Sequence, residues 1–250
     1  MEALELLGVG ALAGGLGALL GVGGGVILVP GLIFLAGLPF QSAVATSLVC
    51  VVATSVAGSA VYLRRGSVEL HVAVELQAFT VLGAVTAGLL AAFVPVGPLY
   101  FAFALLLSVI AFRMWPRARA AERPPMRHPP RAAAAGASIG TGLVSGLLGV
   151  GGGVLNVPIL HGLLGLAFDR AVATSVFMIG VTAASAAAVY LMRGVADVSV
   201  AAVTMLGTVA GASVAAMTGH RVSQRWLKAG FALLLAYVAF RMVLRGIAQL

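Results

Sequence analysis

Leu19-Leu20-Gly21-Val22-Gly23-Gly24-Gly25-Val26, closed by Val29-Pro30, decides how this chain folds. The stretch recurs 128 residues further on as Leu147-Leu148-Gly149-Val150-Gly151-Gly152-Gly153-Val154, closed by Val157-Pro158. Each copy sets a run of glycines and a proline inside a long apolar segment. In a bilayer a weakened helix is tolerated at membrane depth only where its freed backbone groups face protein or a water-filled cavity. The two glycine stretches are therefore expected to form the functional centre.

Composition makes the surroundings a membrane. The chain has 250 residues, 61% hydrophobic and 9% charged, with a mean hydropathy of +1.12. A soluble domain carries about 25% charged residues. Several charge-free runs exceed the roughly 20 residues that cross the hydrocarbon core, so the fold class is an all-α polytopic membrane protein. The formal charge of +8 comes from basic residues between apolar runs. That pattern fits cytoplasmic loops against anionic lipid, not a nucleic-acid partner. A single cysteine, Cys50, rules out an intramolecular disulfide and a cysteine metal cluster. Met1–Glu5 lacks the basic region of a secretory leader.

The order of elements repeats at the same offset. Residues 3–37 are one apolar segment broken at Gly21–Gly25, and the arm after the break is too short to cross alone at 1.5 Å per residue. Ser42–Leu63, Glu69 to about Phe93, and Leu99–Met114 are expected to be helices. Ala45-Thr46-Ser47 matches Ala173-Thr174-Ser175, Tyr62-Leu63-Arg64-Arg65-Gly66 matches Tyr190-Leu191-Met192-Arg193-Gly194, and Ala111-Phe112-Arg113-Met114 matches Ala239-Phe240-Arg241-Met242. Between residues 14–30 and 142–158, 11 of 17 positions are identical. The chain is thus two tandem repeats of four apolar segments, 1–115 and 132–250. The Arg- and Pro-rich linker 116–131 is expected in the cytoplasm, and the whole forms one membrane domain.

If the first segment of each repeat turns back at its glycines, three crossings per half make the halves inverted; if it crosses, they are parallel. The inverted arrangement puts 12 of the 15 basic residues inside, leaving Arg193, Arg241 and Arg245 outside, against 11 for the parallel one. The short arm after the glycines favours the inverted hairpin, a plan in which broken helices meet near the midplane.

Site expectations follow from the breaks. Gly23, Gly24, Gly25 and Gly151, Gly152, Gly153 can direct successive backbone N–H groups, with the positive end of the following helix, at an anion. The alternative is close helix packing through small residues. A nucleotide fingerprint is a poor alternative, because Val26 stands where the last glycine of G-x-G-x-x-G would fall and no G-K-[ST] is present. The hydroxyls of Thr46, Ser47, Thr174 and Ser175 lie where they can ligate an oxyanion or cap the hairpin's carbonyls. Asn156, where the first repeat has Leu28, is a polar candidate for substrate contact. His161 and Glu75 are candidates for proton coupling, since histidine titrates near neutrality and an intramembrane carboxylate points to function. Asp169-Arg170 reads as a boundary pair. No catalytic constellation, metal-ligand spacing or cofactor motif occurs, so an enzyme is not expected.

At these residues the chain resembles the TauE/SafE family of sulfite exporters, also called sulfonate-uptake permeases. The resemblance rests on Gly21, Gly23, Gly24, Gly25, Pro30, Thr46 and Ser47 and on Gly149, Gly151, Gly152, Gly153, Pro158, Thr174 and Ser175, and it covers the whole chain. It implies a bacterial plasma-membrane transporter of sulfur oxyanions or organosulfonates, driven by an ion gradient and without a cofactor. The expected partners are a small anion and membrane lipid, with a homo-oligomer compatible. A passive anion channel and a non-transporting assembly factor are the alternative functions.

Overall fold

In the computed structural model, the residues described are 3–20, 23–114, 131–218 and 224–249. The expected cytoplasmic linker at 116–130 lies outside them, as does Gly21. Among the described residues all regular structure is helical. Helix α1 is Ala3–Leu20, α2 Gly25–Phe34, α3 Phe40–Arg64, α4 Leu70–Leu90 and α5 Val96–Met114. Helix α6 is Arg131–Leu148 and α7 is Gly153–Pro158, which passes into a single π turn, Ile159–Leu163. Then come α8, Phe168–Met192, α9, Val198–Thr218, and α10, Gln224–Ile247. The limits of α1, α3 and α4 recur in α6, α8 and α9 shifted by the same 128 residues.

The glycine break does what its composition dictates. Three glycines favour chain reversal over helix, and α2 folds back along α1. A Cβ on Gly17 would lie 2.7 Å from the Gly24 nitrogen, and one on Gly31 would lie 2.6 Å from Val9 Cγ1. The first apolar segment is therefore a hairpin. Pro30 sits inside α2, whereas Pro158 ends α7. Proline supplies no N–H to continue the ladder, and the turn after Pro158 widens to π, a distortion that often marks functional sites. Both hairpins leave through matching loops: Leu38 donates its N–H to the Leu32 carbonyl, and Leu166 to that of Leu160. Helices α3 and α8 end alike. Gly66 and Gly194 adopt φ of +63° and +66°, and the following N–H groups return to the carbonyls of Tyr62 and Tyr190. This is a glycine-terminated helix end that also turns the chain into the next helix.

The halves are interleaved. Helix α1 packs on α9 and α4 packs on α6. These crossings are so tight that a Cβ on Gly14 would fall on the Thr208 carbonyl, and one on Gly142 on that of Thr80. Small residues allow such backbone contact in lipid, where packing rather than hydrophobic exclusion drives helix association. The pairs α3–α8 and α5–α10 join equivalent helices. Gly180 faces Ser55 while Gly58 faces Val176, so α3 and α8 run antiparallel. Gly246 faces Tyr100 and Phe101, while Ser108 and Phe112 share a cleft with Leu233 and Phe240; α5 and α10 are antiparallel too.

Five described helices are long and apolar enough to cross a membrane: 40–64, 70–90, 168–192, 198–215 and 229–247. Their outer faces carry large exposed apolar side chains, among them Val74, Leu82, Leu206 and Tyr237. An apolar exterior around a buried core containing Thr46, Ser47, Thr174, Ser175 and Asn156 suits lipid, not water. The protein is a multi-pass helical membrane protein.

Candidate functional site

The two glycine tips meet each other. A Cβ on Gly25 would fall on the Gly149 carbonyl and lie 2.8 Å from Val150 Cα. A Cβ on Gly23 would lie 3.6 Å from the Val150 carbonyl oxygen. Gly151 packs against Val51 and Ile179, the middles of α3 and α8. The tips are thus pressed together at the level where the two longest helices cross.

Their backbones differ despite identical sequence. Gly23 and Gly151 share φ of +75°. Gly24, however, leads into α2 with φ of −64°, while Gly152 leads into α7 at φ of +80°. Gly151 and Gly152 form two successive left-handed residues, a conformation that a Cβ penalises. In each hairpin the first turn of the return helix leaves N–H groups without intrahelical acceptors, and the helix dipole makes that end positive.

The Thr-Ser pairs support these tips. Ser47 Oγ donates to the Gly149 carbonyl at 2.9 Å, and Ser175 Oγ donates to that of Gly153 at 3.3 Å. The single proton of each serine is therefore committed to a hairpin carbonyl in this conformation. Thr174 Oγ1 accepts the N–H of Glu69, just ahead of α4, at 3.0 Å. Its repeat counterpart Thr46 is fully buried, and its Oγ1 has no hydrogen-bond partner.

Around Gly152 two more polar atoms are buried without partners: Ser145 Oγ and Asn156 Nδ2. Ser145 Oγ is 3.6 Å from where a Gly152 Cβ would stand. Asn156 is only 2% exposed, and its backbone N–H bonds the Gly152 carbonyl. An amide nitrogen is donor-only, and leaving a buried donor unmade costs about 1–3 kcal/mol.

Beside the first tip lies a cavity of about 290 Å³. Gly23 and Gly24 form its inner wall, with Thr54 and Ser55 of α3, and Tyr62 and Arg65 line it near the end of that helix. Gly151, Gly152 and Gly153 are not among the residues that line it, so one tip reaches the cavity and the other does not. Of the residues expected to bind substrate, Gly23 and Gly24 line the cavity. Gly25, Gly151, Gly152, Gly153, Ser47, Ser175 and Asn156 belong to the paired tips behind it. Thr46 and Thr174 are buried on α3 and α8.

The proton-coupling candidates stand elsewhere. His161 lies in the π turn, donates Nδ1–H to the Leu166 carbonyl at 2.8 Å and meets Phe168 edge-on. Glu75 is on the exposed face of α4. Arg170 pairs with Glu69 of the other repeat. Among the described residues no group of three metal-binding side chains occurs.

Sequence reasoning singled out the tips but not Thr54, Ser55, Tyr62 and Arg65 as cavity walls. The usable signal was the duplication itself, because Tyr62 and Arg65 recur as Tyr190 and Arg193 at helix ends. The profile of the family described as Sulfite exporter TauE/SafE matches residues 6–242, which takes in both hairpins and both Thr-Ser pairs. No curated protein and no solved structure matches the chain.

Proposed function

Because the chain belongs to the sulfite exporter TauE/SafE family, a family of transporters for sulfur anions, we propose that it is a secondary transporter of a small sulfur oxyanion or sulfonate held at the two glycine tips. The observation that carries this reading is the cavity ending on Gly23 and Gly24 with Arg65 in its wall. It offers an anion a fixed positive charge and then helix-terminal N–H groups, the combination that binds oxyanions at helix starts. Asn156 supplies a desolvated donor at the second tip.

Residues 1–115 and 132–250 act in this reading as inverted repeats, joined by the cytoplasmic linker 116–131. The antiparallel pairing of α3 with α8 and of α5 with α10 supports this, because parallel repeats would bring equivalent helices together in the same direction. Rocking of one repeat against the other then exposes the site to each side in turn. Proton coupling is the form of energy input in this reading. His161 is a residue to test, since its Nδ1 is held by the Leu166 carbonyl and Nε2 is the ring nitrogen left to exchange a proton. Glu75 is the other.

The binding step is tested by thermal unfolding of the purified protein in detergent. Sulfite or methanesulfonate is expected to raise the melting temperature, with a stabilisation of about 2.7 kcal/mol at a hundredfold excess over Kd that grows logarithmically with concentration. Chloride at equal ionic strength is expected to leave it unchanged. If no sulfur anion exceeds chloride, the tips do not hold such a ligand.

A further inference from the structure

Two residues that line the cavity beside the first tip have repeat equivalents that are bonded to carbonyls of other helices. Tyr62 and Arg65 line the open cavity, with Tyr62 half-buried and Arg65 exposed. Their repeat equivalents are engaged. Tyr190 is 1% exposed, and its Oη donates to the Gly146 carbonyl at 3.0 Å. Arg193 donates from Nη1 to the Gly88 carbonyl at 2.7 Å and lies over the Tyr190 ring. These two bonds tie the end of α8 to the end of α6 beside the second tip and to α4. Further in, Thr182 is fully buried and bonded to Gln77 and Thr80. Its equivalent Thr54 lines the open cavity.

We infer that the two Tyr-x-x-Arg pairs, Tyr62/Arg65 and Tyr190/Arg193, are the opposing gates of the anion path, each closing by latching onto carbonyls of the other helices and opening to present its arginine to the anion. The inference rests on the transport reading above and adds the residues that make access alternate. Because α3 and α8 run antiparallel, the pairs at their C-terminal ends stand at opposite ends of the bundle. One sequence motif is seen in both conformations in a single chain. The carbonyl equivalent to that of Gly146 belongs to Ala18, which already lines the open cavity, and the equivalent of Gly88 is Ala216. Closing the first gate places Tyr62 Oη on the Ala18 carbonyl and Arg65 on that of Ala216 while the second gate releases. An arginine suits the role because it stays charged at any working pH and is satisfied either by carbonyls or by an oxyanion. Gly66 and Gly194 give each arginine a helix end that can turn without a Cβ to obstruct it.

The test uses cysteine reactivity and needs no substrate. In a Cys50→Ala background, Thr54→Cys and Thr182→Cys are made separately and exposed to a membrane-impermeant thiol reagent. Thr54→Cys is expected to react at least about tenfold faster than Thr182→Cys, a difference in accessible population of about 1.4 kcal/mol. Adding Tyr190→Phe and Arg193→Gln is expected to raise the Thr182→Cys rate and lower the Thr54→Cys rate. Tyr190→Phe alone, which removes only an oxygen, is expected to move both rates in the same directions by a smaller factor and guards against misfolding in the double variant. Unchanged rates at both positions in protein that elutes as a single species would overturn the gate assignment. Sulfite added to the same samples bears on the transport reading alone: a shift in the ratio of the two rates supports it, and no shift counts against it while leaving the gates standing.

Discussion

Gly25→Ala is expected to slow transport by roughly 5- to 150-fold, while Gly136→Ala and Gly140→Ala leave it intact. All three glycines are in helices, where alanine is intrinsically better by about 0.5–1 kcal/mol. The new methyl groups at positions 136 and 140 meet nothing within 4 Å. At position 25 the methyl falls on the Gly149 carbonyl and comes within 2.8 Å of Val150 Cα. Both obstacles are backbone, so no side-chain rotation relieves the contact and the tips must separate. Overpacking of this kind costs about 1–3 kcal/mol, equivalent to roughly 5- to 150-fold in a two-state population. Separation also weakens the Ser47 bond to the same carbonyl. The measurement is initial sulfite efflux from proteoliposomes, with thermal unfolding alongside. Efflux at the wild-type rate in Gly25→Ala would show that contact between the tips is not needed for the cycle.

The second large effect has two opposite signs. Asn156→Leu installs the residue that the first repeat carries at the same place, Leu28, which is fully buried. It removes a buried donor with no acceptor, so the anion-free protein is expected to be as stable as wild type or more stable, by up to about 1–3 kcal/mol. Binding is expected to move the other way. A hydrogen bond to a charged ligand is worth about 1.5–3 kcal/mol, so affinity for sulfite falls roughly 10- to 100-fold. A higher melting temperature without anion, together with a lost sulfite-induced shift, is the signature of a polar group kept for function at the expense of stability. If stability falls and the sulfite shift persists, Asn156 is an ordinary structural residue.

How much of this was legible depended on whether the cause was local. The break after Leu20 was readable because three glycines and a nearby proline weaken any helix, and α1 and α2 end and begin where that composition changes. The duplication was readable because identical residues recur at one offset, and it carried the helix limits of the second half with it. The contact between Gly25 and Gly149 was not readable, since it is made by chain segments more than a hundred residues apart and glycine permits it without requiring it. The different torsions of Gly24 and Gly152 were hidden for a related reason: the sequence around them is the same, and tertiary surroundings choose between conformations that glycine holds at similar cost. Pro30 and Pro158 show the same limit, one inside a regular helix and one opening a π turn. Tyr62 and Arg65 read as an ordinary helix end because a basic residue before a terminal glycine is common there. Only the comparison with Tyr190 and Arg193, which are bonded to carbonyls of other helices, sets the first pair apart.

A single anion site exposed alternately to the two sides of the membrane must support counterflow. Proteoliposomes loaded with unlabelled sulfite and diluted into trace labelled sulfite are expected to accumulate the label transiently above equilibrium, with a saturable rate that Asn156→Leu reduces. Flux that is linear in sulfite, with no acceleration by sulfite on the far side, would contradict the account and identify a passive pore.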